Sequence, residues 1–275
     1  MTERPQLDSL RVGILAIGNE LLDGLILDTN SNWMEKQLAS VGAETLRVVS
    51  VRDDVSEIGE GLRFLLSRCD IVITTGGMGP THDDKTLLAV ATATDRALVE
   101  DPAAVAIVKR QYAQLFKRGI VDTPDYTAAR RKMACIPEGS KALDNQVGGA
   151  PGVQLSVGDA TVFCLPGVPP ELKSIFEHSV LPWIRERVRG VFFETVVQFA
   201  TNDESLFAPL IDVVMRECPG VYIKSMPRRY ERGNVLRVWM SARGASAQDA
   251  ERKVNEAIGR LSEVSGLPAM PAGET

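Results

Sequence analysis

The chain has 275 residues and a formal net charge of −5, with 44% hydrophobic and 24% charged residues. The length suits one large and one small globular domain, each able to bury its own core. The negative charge excludes a nucleic-acid-binding protein that relies on overall positive charge, although local backbone N–H groups could still bind a phosphate. Because neither a membrane-spanning run nor a signal peptide is visible, we expect a cytoplasmic protein without a membrane partner.

Apolar runs and helical spacings alternate over the first 95 residues. Buried strands are predicted at 12–17, 46–51 and 71–74. Helices are predicted at 30–38, from Val55 to Leu66, and at about 85–93. This alternation of strands and helices predicts an α/β domain with a mostly parallel, doubly wound sheet.

Proline and glycine mark the elements that follow. Asp101-Pro102 predicts the start of a helix, with aspartate as the cap, and Thr123-Pro124 predicts a second helix start. Gly158-Asp159 predicts a hairpin that adds an antiparallel edge to the sheet. A rigid turn, 165–170, leads into a helix that we expect Pro182 to break.

The pattern changes near Gly190, which predicts a first domain at 1–190. A β-α-β-β-α order then predicts a small α+β domain at 191–266, whose last helix starts at the predicted cap Ser246. Residues 267–275 are predicted to be a loose tail.

The glycine-rich segment after the third strand is the candidate site. Ligands of open α/β sheets bind at the carboxyl ends of strands, and Gly76 and Gly77 let backbone N–H groups approach an anion. Asp83 and Asp84 follow at the start of the next helix. One carboxylate would suffice for a helix cap, whereas two beside a phosphate favour a bridging divalent cation. The four cysteines are far apart and predict free thiols, and two histidines are too few for a histidine-rich zinc site.

Residues 74–86 resemble the T-T-G-G-x-G-P-T-x-D-D-x-T signature of the CinA family of competence/damage-inducible proteins, and more distantly the molybdopterin-binding proteins MogA and MoaB. Four further blocks resemble CinA in the same order: 18–24, 28–30, 145–152 and 165–171. The resemblance covers about residues 10–190, and 191–265 resembles the KH-like unit of that family in layout only. It implies a three-layer α/β/α molybdopterin-binding-like domain and a homo-oligomer, with a dimer as the first expectation.

The resemblance also implies roles for individual residues. Asp53 and Asp84 match the two acids that matter in the molybdopterin-binding relatives, so we predict that both are catalytic and, with Asp83, hold the metal ion, for which Mg, Mn, Co and Ni are candidates. For Asp53, a helix cap is the alternative, although Asp54 or Ser56 could serve instead. The predicted ligand-binding residues are Glu20, Asn30, Thr75, Gly76, Gly77, Gly79, Thr81, Gly148, Pro166 and Gly167.

The implied function is divalent-metal-dependent hydrolysis of a nucleotide pyrophosphate such as ADP-ribose, with coenzyme A and FAD as further candidates. The alternatives are molybdopterin binding or adenylylation, and a non-catalytic module that senses a nucleotide ligand. Arginines 228, 229 and 232 around Tyr230 are interpreted as a solvated hairpin tip or a dimer contact. We expect no nucleic-acid partner, because the Gly-x-x-Gly loop of RNA-binding KH domains is absent. The amidohydrolase domain of longer CinA proteins is also absent, so we expect no deamidation of nicotinamide mononucleotide.

Overall fold

The computed structural model describes residues 10–188, 190–201, 203–226 and 235–272. The chain divides into two compact units. Unit 1 contains the described residues up to 188 except 40–42, and unit 2 contains 40–42 and the described residues from 190 onward. The arginine-rich segment around Tyr230 lies outside the described residues.

Unit 1 is built on a six-stranded mixed sheet with the order β2-β1-β3-β8-β7-β6. The strands of unit 1 are β1 Arg11–Ile17, β2 Glu44–Val51, β3 Ile71–Thr75, β4 Leu98–Glu100, β5 Cys135–Pro137, β6 Lys141–Leu143, β7 Gly152–Val157 and β8 Ala160–Leu165. Strand β1 pairs in parallel with β2 and β3, and β3 pairs in parallel with β8. The predicted hairpin at Gly158-Asp159 joins the antiparallel pair β7–β8, while β4 and β5 form a separate two-stranded sheet.

Helices cover both faces of this sheet. They are α1 Asn19–Leu22, α2 Thr29–Ser40, α3 Val55–Leu66, α4 Thr86–Ala93, α5 Pro102–Lys117, α6 Ala128–Ala134, α7 Pro169–Ile175 and α8 Leu181–Arg185, with a π-helical turn at Phe176–Val180. On one face, Leu15 and Val162 join a buried core with Leu62 of α3. On the other face, Phe163 contacts the Trp183 ring of α8 with centroids 5.3 Å apart. The predicted α/β class is therefore confirmed.

Two helix predictions are wrong in detail. The helix expected at Thr123-Pro124 begins only after Thr127, because the Thr127 hydroxyl caps α6 by accepting the Arg130 N–H. Pro182 does not break its helix. It lies in α8 directly after the π-helical turn, in which the Leu181 N–H donates to the Phe176 carbonyl oxygen, and the helix continues past it to Arg185. The cap predicted at Asp101 is present and accepts the Ala104 N–H.

Unit 2 contains a four-stranded antiparallel sheet with the order β10-β11-β9-β12 and two helices. Its elements are β9 Val191–Phe199, α9 Glu204–Glu217, β10 Val221–Met226, β11 Leu236–Gly244, α10 Ala247–Ser265 and β12 Met270–Pro271. The Ser246 hydroxyl caps α10 by accepting the Asp249 N–H, as predicted. The predicted tail differs, because β12 lies within it and pairs with β9.

All four cysteines are free. Within the described residues, no helix combines the length and the apolar character needed to cross a membrane.

Candidate functional site

A cavity of about 560 Å³ lies at the carboxyl ends of the parallel strands of unit 1. Strands β1, β3 and β8 end at the same edge of the sheet, so the loops after them meet there. The cavity is lined by twelve of the thirteen predicted site residues: Glu20, Asn30, Asp53, Thr75, Gly76, Gly77, Gly79, Thr81, Asp83, Asp84, Pro166 and Gly167. Gly148 is the exception; it is buried and lies behind the lining residue Glu171.

The glycines of the loop after β3 are required by its geometry. Gly76 and Gly77 have φ angles of 104° and 63°, which residues other than glycine rarely adopt. A Cβ atom at Gly76 would lie 2.1 Å from the carbonyl oxygen of Ile17, so the loop packs directly on the end of β1. A Cβ atom at Gly77 would lie 2.4 Å from the Thr86 hydroxyl oxygen.

The amides of this loop differ in their availability. The Gly76 N–H donates to the carbonyl oxygen of Leu165 at 3.1 Å, so it is already used by the fold and cannot hold a ligand phosphate as expected. Within the described part of the chain, the N–H groups of Gly77, Met78 and Gly79 have no acceptor. All three residues line the cavity, so their amides, rather than that of Gly76, are available to a ligand anion.

Asp84 and Asp83 are both held by Thr81. Asp84 Oδ2 accepts the Thr81 N–H at 2.9 Å and faces the Thr81 hydroxyl at 2.5 Å. The Thr81 hydroxyl also contacts Asp83, and this hydrogen bond is the largest of the effects that lower the pKa of Asp83. Asp84 does not cap α4, because the residue at the cap position is Lys85 and its side chain makes no capping hydrogen bond. The helix-cap explanation of Asp84 is therefore wrong.

Asp53 does not cap α3, the helix that follows it. The cap of α3 is Asp54, whose Oδ1 accepts the N–H groups of Ser56 and Glu57 at 2.9 and 3.2 Å. Asp53 Oδ2 instead accepts the N–H of Asn19, the first residue of α1, at 2.8 Å. The other oxygen of Asp53 would lie 3.5 Å from a Cβ atom at Gly77.

Asp53 and Asp84 each pack against a different glycine of the amide-bearing loop. Just as Asp53 adjoins Gly77, Asp84 adjoins Gly79, where a Cβ atom would come within 2.7 Å of Asp84 Oδ2. The carboxylates and the loop therefore pack closely, and both acids reach the same cavity.

Asn30 joins two loops of the site. Its Nδ2 donates to the Gly167 carbonyl oxygen at 2.8 Å and to the Thr75 hydroxyl oxygen at 3.3 Å. Asp28 accepts the Ser31 N–H near the start of α2, so Asn30 is not needed as a cap. Asn30 therefore fixes the loop after β8 against the end of β3.

A second carboxylate region of the cavity was not predicted. Glu171 lines the cavity in the first turn of α7, and its Oε2 accepts the Nδ2–H of the fully buried Asn145 at 2.7 Å. Burial raises the pKa of Glu171, while the hydrogen bond from Asn145 opposes the shift. Both residues stand in blocks with a recognisable sequence pattern, but only the folded chain shows that they meet. Tyr112 of α5, which is not among the predicted site residues, also lines the cavity.

The carboxylates suit a hard cation but do not form a complete cage. Within the described residues, no group of three or more aspartate, glutamate, histidine or cysteine side chains is placed to hold a metal ion. Mg²⁺ is commonly bound by one or two carboxylates, with waters and ligand phosphates in the other positions. Asp53 and Asp84, which line one cavity with the free amides of the glycine loop, fit that kind of shared site.

The fold and the site together define a class of protein: an α/β/α domain with a glycine-rich loop and acidic residues at the carboxyl edge of its sheet. Residues 13–186 match the family model described as "Probable molybdopterin binding domain". The chain therefore belongs to this family.

Several relatives are similar over most of the chain. A protein of Aeropyrum pernix is 39% identical over 253 residues, covering 91% of this chain and 92% of its own length. A protein of Pyrobaculum aerophilum is 39% identical over 256 residues, covering 92% and 94%. Among solved structures, the protein CinA of Thermoplasma acidophilum, described as having unknown function, is 34% identical with a TM-score of 0.57. That match covers 65% of this chain and 99% of the CinA chain, and it supports the CinA-like resemblance.

Proposed function

We propose that unit 1 binds a phosphorylated pterin of the molybdopterin type and that its carboxylates serve a reaction at phosphorus, with adenylylation of the pterin phosphate as the first candidate. The observation that carries this proposal is that Asp53, which adjoins Gly77, and Asp84, which adjoins Gly79, line one cavity with the free amides of Gly77, Met78 and Gly79. The family description supports a pterin as the ligand.

The amides, the two carboxylates and the residues that orient them have separate roles in this proposal. The amides of the glycine loop bind phosphate oxygens without adding a mobile charge. Asp53 and Asp84 would hold a divalent cation, which when bound neutralises phosphate charge and makes the phosphorus more electrophilic. Thr81 and the Asn19 N–H orient the two carboxylates. In adenylylation, a phosphate oxygen of the pterin attacks the α-phosphorus of ATP and pyrophosphate leaves.

Hydrolysis of a nucleotide pyrophosphate such as ADP-ribose is the second candidate. It is the activity that the resemblance of residues 74–86 to the CinA signature implies, and it would use the same phosphate loop and carboxylates with water as the attacking group. A ligand-sensing module, the third possibility considered from the sequence, would bind through the same loop but would not turn the ligand over.

Product analysis separates these functions. Purified protein is incubated with Mg²⁺, Mn²⁺, Co²⁺ or Ni²⁺ and either molybdopterin plus ATP or ADP-ribose alone, and products are resolved by anion-exchange chromatography. Adenylylated pterin and pyrophosphate support the first candidate, whereas AMP and ribose 5-phosphate support the second. Pterin or nucleotide binding without products would replace both by the sensing function. Loss of turnover in Asp84→Asn assigns any activity found to this site.

A further inference from the structure

Glu171 is an acid of the cavity to which the proposed phosphate chemistry assigns no role. It is half-buried in the first turn of α7 and lines the same cavity as the glycine loop. Apolar surface lines this cavity as well, contributed by Tyr112, Met133, Ala150, Val168 and Pro169. A carboxylate beside apolar walls suits recognition of a planar polar ring better than binding of a phosphate, which it would repel.

Asn145 fixes the orientation of this carboxylate. Its Oδ1 accepts the N–H groups of Val147 and Gly148 at 3.0 and 2.9 Å, and its Nδ2 donates to the Ala150 carbonyl oxygen and to Glu171 Oε2, both at 2.7 Å. Because the amide group of Asn145 already has two donors and two acceptors around it, it cannot rotate without breaking these bonds. Glu171 is therefore preorganised rather than mobile.

Gly148 makes this packing possible. A Cβ atom at Gly148 would lie 2.0 Å from the carboxyl carbon of Glu171 and within 2.4 Å of both its oxygens. The backbone of Gly148 thus covers one side of the carboxylate, which leaves the cavity as the direction from which a ligand can reach it. The predicted ligand-binding role of Gly148 is accordingly indirect.

Helix stabilisation does not explain the position of Glu171. An acid in the first helical turn can interact favourably with the helix dipole from solvent. Glu171, however, is drawn into the cavity wall, where burial raises its pKa against the opposing hydrogen bond from Asn145. Among the ion pairs of the described residues, none involves Glu171. Asn145 and the Ala150 backbone N–H both donate hydrogen bonds to Glu171. A carboxylate has about four acceptor positions, so a ligand can supply further N–H donors.

We propose that Glu171 recognises the pterin ring by accepting hydrogen bonds from its 2-amino group and from the adjacent ring N–H. An ionised carboxylate is only an acceptor, with two oxygens side by side, and this edge of a pterin presents two N–H donors side by side. Guanine has the same edge, whereas adenine presents a donor beside an acceptor. This assignment rests on the proposed binding of a phosphorylated pterin and names the residue that selects the ring.

The test compares two probes that differ at one ring position. They are 6-hydroxymethylpterin monophosphate and 6-hydroxymethyllumazine monophosphate, in which an oxygen replaces the 2-amino group. We expect the unmodified protein to bind the pterin at least about tenfold more tightly in a fluorescence titration at pH 7, since one unmatched buried hydrogen bond is commonly worth that much. Glu171→Gln should reduce the preference below about threefold, because a side-chain amide can donate to the 2-oxo group.

Two further variants complete the test. Glu177→Gln removes the same charge from an exposed residue in the following π-helical turn and should leave the preference unchanged. Glu171→Asp keeps the charge but shortens the side chain by one methylene, and it should also lose the preference. This variant keeps the proposal testable if Glu171→Gln does not fold, as judged by circular dichroism.

The outcomes separate this inference from the proposed function. Tight binding of both probes with equal affinity, or a preference that survives in both Glu171 variants, would overturn the role of Glu171 while leaving pterin phosphate binding intact. Failure of the unmodified protein to bind either probe would overturn pterin binding and the role of Glu171 together.

Discussion

The two carboxylate regions of the cavity are built in opposite ways. Asp84 is held by Thr81, three residues earlier, in a loop open to solvent. Glu171 is held by the buried Asn145, 26 residues away, and its carboxylate is partly withdrawn from water. An acid near water can exchange its hydrogen bonds for a cation at little cost, whereas a buried acid is costly to charge and must be matched by defined partners. The first arrangement suits chemistry on a phosphate, and the second suits selection of a ring.

Replacement of Asp84 should have the largest effect. Asp84→Asn keeps an oxygen that can accept the Thr81 N–H but removes the charge that would hold a cation. We expect turnover of the active substrate to fall at least about 100-fold, equivalent to about 2.7 kcal/mol, with thermal unfolding little changed. Asp159→Asn, which removes one charge from the exposed β7–β8 hairpin, is the control. Equal activity of the two variants would contradict the assignment.

In the region around Glu171, Asn145 should make the largest contribution to the free energy of unfolding. Asn145→Ala removes the partner of the Val147 and Gly148 N–H groups and of the Ala150 carbonyl oxygen. We expect the free energy of unfolding in urea to fall by about 1–3 kcal/mol, because part of this buried polar surface stays unsatisfied. Gln146→Ala, at the exposed neighbouring position, should change it by less than about 0.5 kcal/mol. Similar values for both would show that the Asn145 network contributes little.

A smaller change tests the packing of the first region. Gly79 lacks a positive φ angle, so Gly79→Ala is tolerated by the backbone, but the new Cβ atom would lie 2.7 Å from Asp84 Oδ2. We expect turnover to fall about tenfold as the Asp84 carboxylate is displaced, with the fold retained. Gly259→Ala adds a methyl group where nothing lies within 4 Å, inside α10, and should stabilise the protein by about 0.5–1 kcal/mol. Full activity of Gly79→Ala would show that Asp84 need not occupy its present position.

The smallest effect is a pH dependence of stability. Because burial raises the pKa of Glu171 above its unfolded-state value, the stability that this residue contributes is present below the unfolded-state pKa and is lost as pH rises through the folded-state pKa. Glu171→Gln, which stays neutral, should therefore be more stable relative to the unmodified protein at pH 7 than at pH 4. Urea unfolding at both pH values measures the difference. A relative stability that is the same at both, or that decreases toward pH 7, would contradict a costly buried charge.

Local sequence patterns predict the region of the glycine loop and Asp84 far better than the region of Asn145 and Glu171. The glycine loop and its acids lie within ten residues after a buried strand, so glycine content and strand ends suffice to locate them. The pairing of Asn145 with Glu171 depends on how β7, β8 and α7 fold back on each other, which no local periodicity contains. The hydrogen bond of the Gly76 N–H could not be predicted from local sequence either. Its acceptor, the Leu165 carbonyl oxygen, ends a strand far along the chain.

Helix boundaries show the same limit on a smaller scale. The cap at Asp101 is a local signal and is found as predicted, because one side chain bonds a nearby N–H. Thr123-Pro124 carries a similar signal, yet α6 begins later, because Thr127 provides the competing cap. A sequence pattern identifies which residues can cap a helix, while tertiary packing decides which one does.

The parallel pairing of β3 with β8 determines when the cavity forms during folding. Ile71 lies opposite Thr161, so the cavity is closed by segments about 90 residues apart, and it exists only when β8 has docked. The Gly76 amide bonds to Leu165 across this junction, and its hydrogen exchange therefore reports the opening of the two strands. A ligand that binds both walls must slow this exchange in proportion to its occupancy, so one backbone proton can serve as a binding probe.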